Sequence, residues 1–268
     1  MLRKITIGQY YSAESFIHSL DPRVKLFATM MYVVSLFVVN NWVGYLIGIV
    51  ALSAYIHASK VPFSFIVRGL KPIIFLLCFS VLFNLFLTSG GKVLIEFWVV
   101  RITTEGVKTA FFMALRLILL IIGSSIMTYT TTPNQLTDAL EKSLGFLKKV
   151  KVPVHELAMM MSIALRFIPI LVEETDKIMK AQMARGASFE EGNLIQRAKA
   201  MVPILVPLFI SAFRRATDLA LAMEARCYHG GEGRTKMKPL RYARCDHMMY
   251  AAFAVYFAVM IGTRFLPL

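Results

Sequence analysis

The stretch LFATMMYVVSLFVVNNWVGYLIGIVALSAY, residues 26–55, determines the fold class of this chain. It is apolar almost throughout and too long for one membrane span, and the sequence NNW at 40–42 interrupts it near the middle. A helix needs about 20 mostly apolar residues to cross the hydrocarbon core of a bilayer. The stretch therefore predicts two short spanning helices, over about 24–39 and 42–58, joined by a tight turn.

The composition of the whole chain agrees with a membrane protein. Of its 268 residues 57% are hydrophobic and 17% are charged, with a mean hydropathy of +0.63, whereas soluble domains carry about 25% charged residues. Further apolar stretches predict spans over about 71–88, 105–130 and 247–266. The basic segment 60–71 is predicted to be a loop, and the β-branched and aromatic residues of 93–102 are compatible with a small hairpin.

The formal net charge of +14 is explained by the distribution of Lys and Arg. With the N-terminus inside, nearly all of the 30 basic residues fall on the inner side of the membrane, as the positive-inside rule requires. The distribution accounts for the charge without nucleic acid. A basic inner surface could still bind acidic lipid head groups or an acidic protein groove. The basic residues outside that side are Lys92, Arg101, Lys108, Arg264 and, within the fourth span, Arg116.

Residues 132–244 differ in character from the spans. The sequence TPNQ at 132–135 is a helix start with a capping box, which predicts a helix over about 133–148. Two long helices are predicted after it. The first, over about 153–185, has a polar stripe of helical periodicity, and the second covers about 190–228. The apolar middle of the second helix is too short to span a bilayer.

The chain is therefore predicted to be an all-α polytopic membrane protein with about five transmembrane helices. A cytoplasmic domain of one shorter and two long amphipathic helices is inserted before the last span. The predicted divisions are a cytoplasmic segment 1–23, transmembrane helices 1–4 in 24–131, the cytoplasmic domain in 132–244 and the last span in 245–268.

Catalytic and metal-binding patterns are weak in this sequence. The five histidines are scattered without helical pairing, and the three cysteines include no CxxC pair. The sequence GGK at 90–92 lacks the remaining residues of a phosphate-binding loop. Arg116 lines a path for substrate or ions, pairs with a polar group inside the bundle, or lies nearer the cytoplasm than the predicted span places it. The run Met159-Met160-Met161 fits a protein core and an adaptable binding surface equally well.

The two long helices have similar predicted ends. One ends Met183-Ala184-Arg185-Gly186, and the other ends with Ala225-Arg226-Cys227. A single basic residue at a helix C-terminus is explained by the helix dipole. Two such ends suggest that each helix end inserts into one of two matching acidic grooves. An Arg side chain suits this role because it binds a carboxylate through two hydrogen bonds.

At these residues the sequence resembles the transmembrane T component of energy-coupling factor (ECF) transporters, a family that includes the membrane subunit of cobalt importers. The resemblance covers nearly the whole chain. It includes the two Ala-Arg helix ends, the second of which has Cys227 where the family often has Gly. The other matching segments are HSLDPRVKL at 18–26, TTP at 131–133 and LRFIP at 165–169.

The resemblance implies an importer in the bacterial or archaeal cell membrane. In it, two ATP-binding cassette (ABC) ATPases, identical or different, bind ATP and Mg²⁺ and dock on the two arginines. The chain itself would bind no cofactor or metal and would not be an enzyme. A small membrane S component would capture a vitamin or other micronutrient. The expected ATPase-docking residues are Ala184, Arg185, Gly186, Ala225, Arg226 and Cys227.

The S component is expected to rest on the apolar middles of the two long helices. The sequence does not identify the substrate, which resides with the S component. Two other functional classes remain open, a secondary transporter that acts alone and a membrane-embedded enzyme using Asp21, Glu173, Glu174 or Asp176. The residues expected to form the coupling surface are Met160, Leu165, Phe167, Pro169, Pro203 and Pro207.

Overall fold

The fold is almost entirely helical. A computed structural model describes residues 10–88, 90, 92–97, 100–189, 193–231, 237 and 239–264. Its helices, in chain order, are α1 (Phe16–Ser19), α2 (Pro22–Val38), α3 (Trp42–Ser59), α4 (Phe63–Leu70), α5 (Ile74–Leu87), α6 (Thr104–Thr130), α7 (Pro133–Ser143), α8 (Val154–Ala184), α9 (Leu194–Ala225) and α10 (Arg244–Arg264).

The predicted pair of helices in the first apolar stretch is confirmed as α2 and α3. The α2 helix begins where Asp21 caps it, since the carboxylate accepts a hydrogen bond from the backbone N–H of Arg23 at 2.9 Å. Pro22 occupies its first turn, where no intrahelical N–H is needed. The predicted spans over 105–130 and 247–266 correspond to α6 and α10, and residues 265–266 of the last predicted span lie outside the described residues.

The predicted basic loop over 60–71 is wrong in part, because α4 occupies most of it. A short 3₁₀ turn, Lys71–Ile73, joins α4 to α5. Pro72 lies in this turn and cannot donate a backbone hydrogen bond, which favours a local change of helix type there. Together α4, the turn and α5 form an apolar helical stretch, Phe63–Leu87, that is longer than the predicted span.

The predicted hairpin is confirmed in the described residues. Strands β1 (Val93–Phe97) and β2 (Val100–Thr103) pair antiparallel, and Phe97 lies opposite Val100. A register shift lies between Val93 and Ile95. The hairpin connects α5 to α6.

The predicted helix over 133–148 is shorter than expected. The capping box is present, since Thr132 N–H donates to Gln135 Oε1 at 3.0 Å and Gln135 N–H donates to Thr132 Oγ1 at 3.3 Å. The α7 helix ends at Ser143 and continues as a 3₁₀ segment, Leu144–Val150. Gly145 in this segment lowers the helix propensity by about 1 kcal/mol relative to Ala.

The spacing of Gly44 and Gly48 reflects close helix packing. Both glycines are buried, and a Cβ on Gly44 would overlap Cγ1 of Val39. A Cβ on Gly48 would meet Cδ2 of Leu36 at 3.5 Å, which is ordinary contact. The surrounding core is formed by buried residues of α2, α3, α6 and α10, among them Tyr32, Leu36, Tyr45, Leu52, Leu119, Ile126 and Met260.

Two buried charged side chains join the helix ends at one side of this bundle. Lys25 is 1% exposed, and its ammonium donates to the carbonyl oxygens of His18 and Thr130, both at 3.0 Å. Asp246 accepts hydrogen bonds from the backbone N–H groups of Asp21 at 2.9 Å and Ala243 at 2.7 Å. These bonds hold the start of α2 against the end of α6 and the start of α10.

Six described helical stretches are long and apolar enough to cross a membrane. They include α8 and α9, which the sequence assigns to the cytoplasmic domain, and they exclude α2, which has only 17 residues. Length and composition alone do not distinguish a spanning helix from a long amphipathic one.

The described chain divides into two compact units. One is formed by Leu140–Pro239, and the other by the residues up to Ala139 together with those from Leu240 onward. The boundary between the two units lies between Ala139 and Leu140, later in the chain than the predicted boundary at 132, because most of α7 belongs with the membrane bundle. The cytoplasmic location predicted for 132–244 stays a prediction.

Candidate coupling site at two matched helix ends

The end of α8 is closed by a backbone motif. Gly186 has a φ of +89°, which is a left-handed conformation, and its N–H donates to the carbonyl of Met183 at 2.9 Å. The N–H of Ala187 donates to the carbonyl of Gln182 at 3.0 Å. This pair of bonds is the Schellman motif, which satisfies carbonyl groups at the end of a helix.

The end of α9 is closed by the same motif. Cys227 has a φ of +55°, its N–H donates to the carbonyl of Glu224 at 2.9 Å, and Tyr228 N–H donates to the carbonyl of Met223 at 3.0 Å. Cys227 therefore takes the place that Gly186 has in α8. The replacement of the family's Gly by Cys leaves the form of the helix end unchanged.

Arg185 and Arg226 occupy equivalent positions at these two ends. Each is the last residue before the left-handed one, and their backbone angles are nearly equal, with φ and ψ of −89° and 6° for Arg185 and −95° and 16° for Arg226. Both side chains are exposed, and within the described residues neither takes part in an ion pair. The chain thus presents the same chemical group twice, on the same backbone geometry.

A small polar cluster fixes the contact between α8 and α9. Glu174 of α8 accepts a hydrogen bond from the hydroxyl of Ser211. It also pairs with Arg215, whose Nη2 lies 3.1 Å from Glu174 Oε2. The side chain of Gln182 donates to the carbonyl of Pro203 at 3.5 Å, a carbonyl that Pro207 leaves without an intrahelical donor. The prolines of α9 thus supply a polar contact to α8.

These contacts show that α8 and α9 run antiparallel where they meet. Glu174 lies against Ser211, and Gln182, farther along α8, lies against Pro203, which comes earlier in α9. At a rise of about 1.5 Å per residue, Arg185 lies about 10 Å and Arg226 about 30 Å of helix from the middle of the contact. The two arginines therefore lie at opposite ends of the helix pair and are too far apart for one small groove.

The residues predicted to form the coupling surface lie on both helices. Met160 is 53% exposed, Leu165 and Phe167 are half-buried, and the three prolines Pro169, Pro203 and Pro207 are exposed. The methionine run is thus at least partly a surface, since Met161 is also more than half exposed. Large apolar side chains beside them are exposed as well, namely Leu157, Val202, Leu205, Val206, Phe209, Ile210 and Phe213.

Arg116 is held by polar groups of the membrane bundle. Its guanidinium donates to the hydroxyl of Tyr45 at 3.0 Å, to Oδ1 of Asn40 at 2.7 Å and to the carbonyl of Val39 at 3.2 Å. This agrees with the structural alternative, in which Arg116 pairs within the bundle. Its partners lie at the turn between α2 and α3, so Arg116 gives no support to a carrier site at the membrane midplane.

Two of the four carboxylates considered for an enzyme are engaged in structural contacts. Asp21 binds Arg23 at 2.8 Å and caps α2, and Glu174 binds Arg215 and Ser211. Among the described residues, no group of three His, Cys, Asp or Glu side chains is placed to hold a metal ion. The cluster of Glu174, Ser211 and Arg215 was not predicted as a coupling element, because its partners are remote in sequence.

Comparison with known protein families gives a match that covers the residues described above. The family model of CbiQ, described as a cobalt transport protein, matches residues 13–237, which include both matched helix ends and the whole α8–α9 contact. The chain belongs to the CbiQ family.

Three relatives in this family illustrate the similarity, and each is named energy-coupling factor transporter transmembrane protein EcfT. The relative from Clostridium kluyveri is 53% identical and covers 98% of each chain. That from Ruminiclostridium cellulolyticum is 51% identical over 97% of each. That from Lactococcus lactis subsp. cremoris is 44% identical over 97% of this chain and 98% of its own. These findings confirm the resemblance to T components and a multi-pass transport protein of the membrane.

Proposed function

We propose that this T component is the energy-coupling subunit of an ECF importer. Two ABC ATPases dock on the ends of α8 and α9, and a small membrane S component packs on the apolar surface of the same helices. ATP-driven approach of the two docked ends changes the crossing of α8 and α9, and this change moves or releases the S component. The cargo is a vitamin or another micronutrient.

The repeated helix end carries this proposal. Arg185 and Arg226 have matched backbone angles and exposed guanidinium groups that form no ion pair within the described residues, as two equivalent docking partners require. Arg forms bidentate hydrogen bonds with carboxylates, so an acidic groove in each ATPase is its natural complement. The separation of the two arginines along α8 and α9 supports two docked subunits rather than one.

The apolar surface of α8 and α9 supports docking of an S component. Contiguous exposed apolar surface larger than a few hundred Å² usually marks a site for another protein or a membrane. Met160 and Met161 suit a surface that accepts several partners, because their side chains repack easily. The prolines Pro169, Pro203 and Pro207 interrupt the intrahelical hydrogen bonds and ease bending of the two helices.

We place α8 and α9 on the cytoplasmic side, with ATP and Mg²⁺ bound by the partner ATPases. Charged side chains recur along both helices, and a helix that crosses the bilayer would expose them to hydrocarbon at a cost of about 3 kcal/mol each near its centre. Exposed examples on the two helices are Arg166, Lys177, Lys180, Arg197, Lys199 and Arg214. In this arrangement the chain carries no catalytic residue of its own.

Affinity purification of tagged variants from their native membrane tests the docking. Arg185→Glu and Arg226→Glu each replace a bidentate donor with a repelling carboxylate, which costs about 2–5 kcal/mol at a buried charge pair. We expect each single variant to lose most of the co-purified ATPase and the double variant to lose all of it, together with ATP-dependent uptake.

Two charge-reversed controls lie on the same helices. Lys180→Glu and Arg214→Glu change equally exposed cations of α8 and α9 that are not at the helix ends. They should retain the ATPases and transport. ATPase binding and uptake that survive the Arg185→Glu/Arg226→Glu double change would disprove the proposed docking.

A further inference from the structure

An apolar cavity of about 300 Å³ lies within the membrane bundle between α2, α3 and α10. Pockets for small molecules range from about 300 to 1,000 Å³. Its walls are small or aromatic side chains, among them Ala51 and Ala54 of α3 and Ala252 of α10. The lining residues extend from Ala51 to Ala58 along α3, which is about 10 Å of helix. The cavity therefore fits within one leaflet, whose hydrocarbon half is about 15 Å thick.

One hydroxyl group in the walls of this cavity is buried without a hydrogen-bond partner among the described residues. It belongs to Tyr32, which is 6% exposed. A buried polar group without a partner costs about 1–3 kcal/mol. The ring of Tyr32 packs directly on Gly123, where a Cβ would lie 2.6 Å from the ring. An occupant with an apolar body and a hydrogen-bond acceptor would satisfy this hydroxyl.

A second, polar cavity of about 510 Å³ shares one wall with the first. Phe16 lines both of them. The polar cavity is lined by Glu14 and Lys60, whose side chains are exposed, and by His18. Burial lowers the pKa of His18, so its imidazole is uncharged at neutral pH. Lys60 and Glu14 therefore provide one positive and one negative charge at the edge of the apolar cavity.

We propose that these two cavities form one binding site for a phosphatidylethanolamine molecule of the leaflet on the N-terminal side. One acyl chain fills the apolar cavity, and an ester oxygen near its start accepts a hydrogen bond from Tyr32. The phosphate lies at Lys60 and the ammonium group at Glu14. The carboxylate of Glu14 disfavours a purely anionic head group such as phosphatidylglycerol. This site is independent of the proposed docking at α8 and α9.

Native mass spectrometry of the purified full-length chain tests the site with two added lipids of identical acyl chains, phosphatidylethanolamine and phosphatidylglycerol. We expect one retained phosphatidylethanolamine per chain and weaker retention of phosphatidylglycerol. Ala51→Phe fills the cavity and should lower retention about tenfold, as should Lys60→Ala by removing a charged hydrogen-bond donor. The matched controls Val50→Phe, on the lipid-facing side of the same turn, and Lys71→Ala, an exposed lysine outside both cavities, should leave retention unchanged.

Tyr32→Phe distinguishes lipid binding from a structural role. Removing an unpartnered buried hydroxyl should raise the melting temperature of the delipidated protein and at the same time lower lipid retention. Lys60→Ala lies outside the spanning helices and keeps the test valid if Ala51→Phe fails to fold. Equal retention by the original chain, Ala51→Phe and Lys60→Ala, or stronger retention of phosphatidylglycerol, would overturn the proposal.

Discussion

At the level of single residues, the end of α9 carries a strain that the end of α8 avoids. Both helices end on a left-handed residue, but glycine fills that position in α8 and Cys227 fills it in α9. The Cβ of an L-residue makes this conformation unfavourable by about 1–2 kcal/mol. The helix end is retained in α9 because its two backbone hydrogen bonds satisfy carbonyls that would otherwise lack partners.

Cys227→Gly should relieve this strain. We expect an increase of about 0.5–1 kcal/mol in the free energy of unfolding of the α9 end, because glycine adopts the left-handed conformation without steric cost. Hydrogen exchange of the amide groups in the last turn of α9 would measure it. The control Cys227→Ala removes the thiol but keeps the Cβ, and it should give no gain. An equal gain in both variants would attribute the effect to the thiol instead.

His18 provides a pH-dependent contribution to stability. Its side chain bonds Ser15 and the carbonyl of Tyr11, and burial lowers its pKa, with the nearby ammonium of Lys25 acting in the same direction. The folded protein therefore resists protonation of this imidazole. Above the ordinary His pKa of about 6.5 both states are neutral and the group has no effect. Below it the unfolded chain binds the proton first, so stability falls as pH falls.

The expected result is a melting temperature that declines between about pH 6.5 and the lowered folded pKa of His18. His18→Gln should flatten this part of the profile. His57→Gln, which changes an exposed histidine of α3, should leave it unchanged. All three proteins are measured in the same detergent. Identical profiles of melting temperature against pH for His18→Gln and the original chain would exclude His18 as the source of the decline.

At the level of elements, the turn between α2 and α3 depends on one glycine more than on the other. Gly44→Ala would force its Cβ against the buried Val39, and we expect a loss of about 1–3 kcal/mol, as for other overpacked cores. Gly48→Ala makes only ordinary contacts and should be neutral or slightly stabilising, since alanine favours a helix more than glycine does. Reversible unfolding in mixed micelles measures both. Equal effects would show that Val39 can move aside.

Most helix boundaries could be predicted from the sequence, because Pro, Gly and polar capping residues mark them directly. Pro133 and Gly186 lie at the ends that the sequence indicates, and Pro22 begins α2 two residues before the predicted start of the first span. The end of α9 could be placed only within three residues, since Cys227 is not a typical helix-ending residue. The apolar spans were predicted because hydrophobic length responds to one physical requirement, the thickness of the bilayer.

Features that depend on which residues meet across helices were beyond the sequence. The pairing of Glu174 with Ser211 and Arg215 requires the register of two helices, and no local pattern sets that register. The helix α4 was missed because Arg68 and the flanking lysines suggested a solvated loop, whereas Ile66 is buried. The two arginines were predicted as a pair from similarity of sequence, but their equivalence rests on backbone angles.

At the level of the whole molecule, Asp246 joins parts of the chain that are far apart in sequence. Its carboxylate is buried and accepts hydrogen bonds from Asp21 and Ala243, so the start of α10 is fixed to the start of α2. Asp246→Asn would turn an amide N–H₂ toward one of these donors. We expect a loss of about 1–3 kcal/mol and easier proteolysis near residue 240, because a buried donor is left unpaired.

The matched control is Asp218→Asn, which changes an exposed carboxylate of α9. It should alter the free energy of unfolding by less than about 0.5 kcal/mol, as surface substitutions usually do. Limited proteolysis and thermal unfolding of both variants would test the comparison. If both variants resisted proteolysis and thermal unfolding equally well, α10 would be held by its apolar contacts alone.

The contact between α8 and α9 lies much closer to the end of α8 than to the end of α9. The arm that ends at Arg185 is about 10 Å long and the arm that ends at Arg226 about 30 Å, both measured from the middle of the contact. A rotation about that midpoint, between Glu174 and Gln182 in α8 and between Pro203 and Ser211 in α9, therefore moves one end roughly three times as far as the other. The two helix ends carry the same chemical group but move through different distances. Under the proposed docking, one rotation would give a short stroke at the Arg185 end and a long stroke at the Arg226 end.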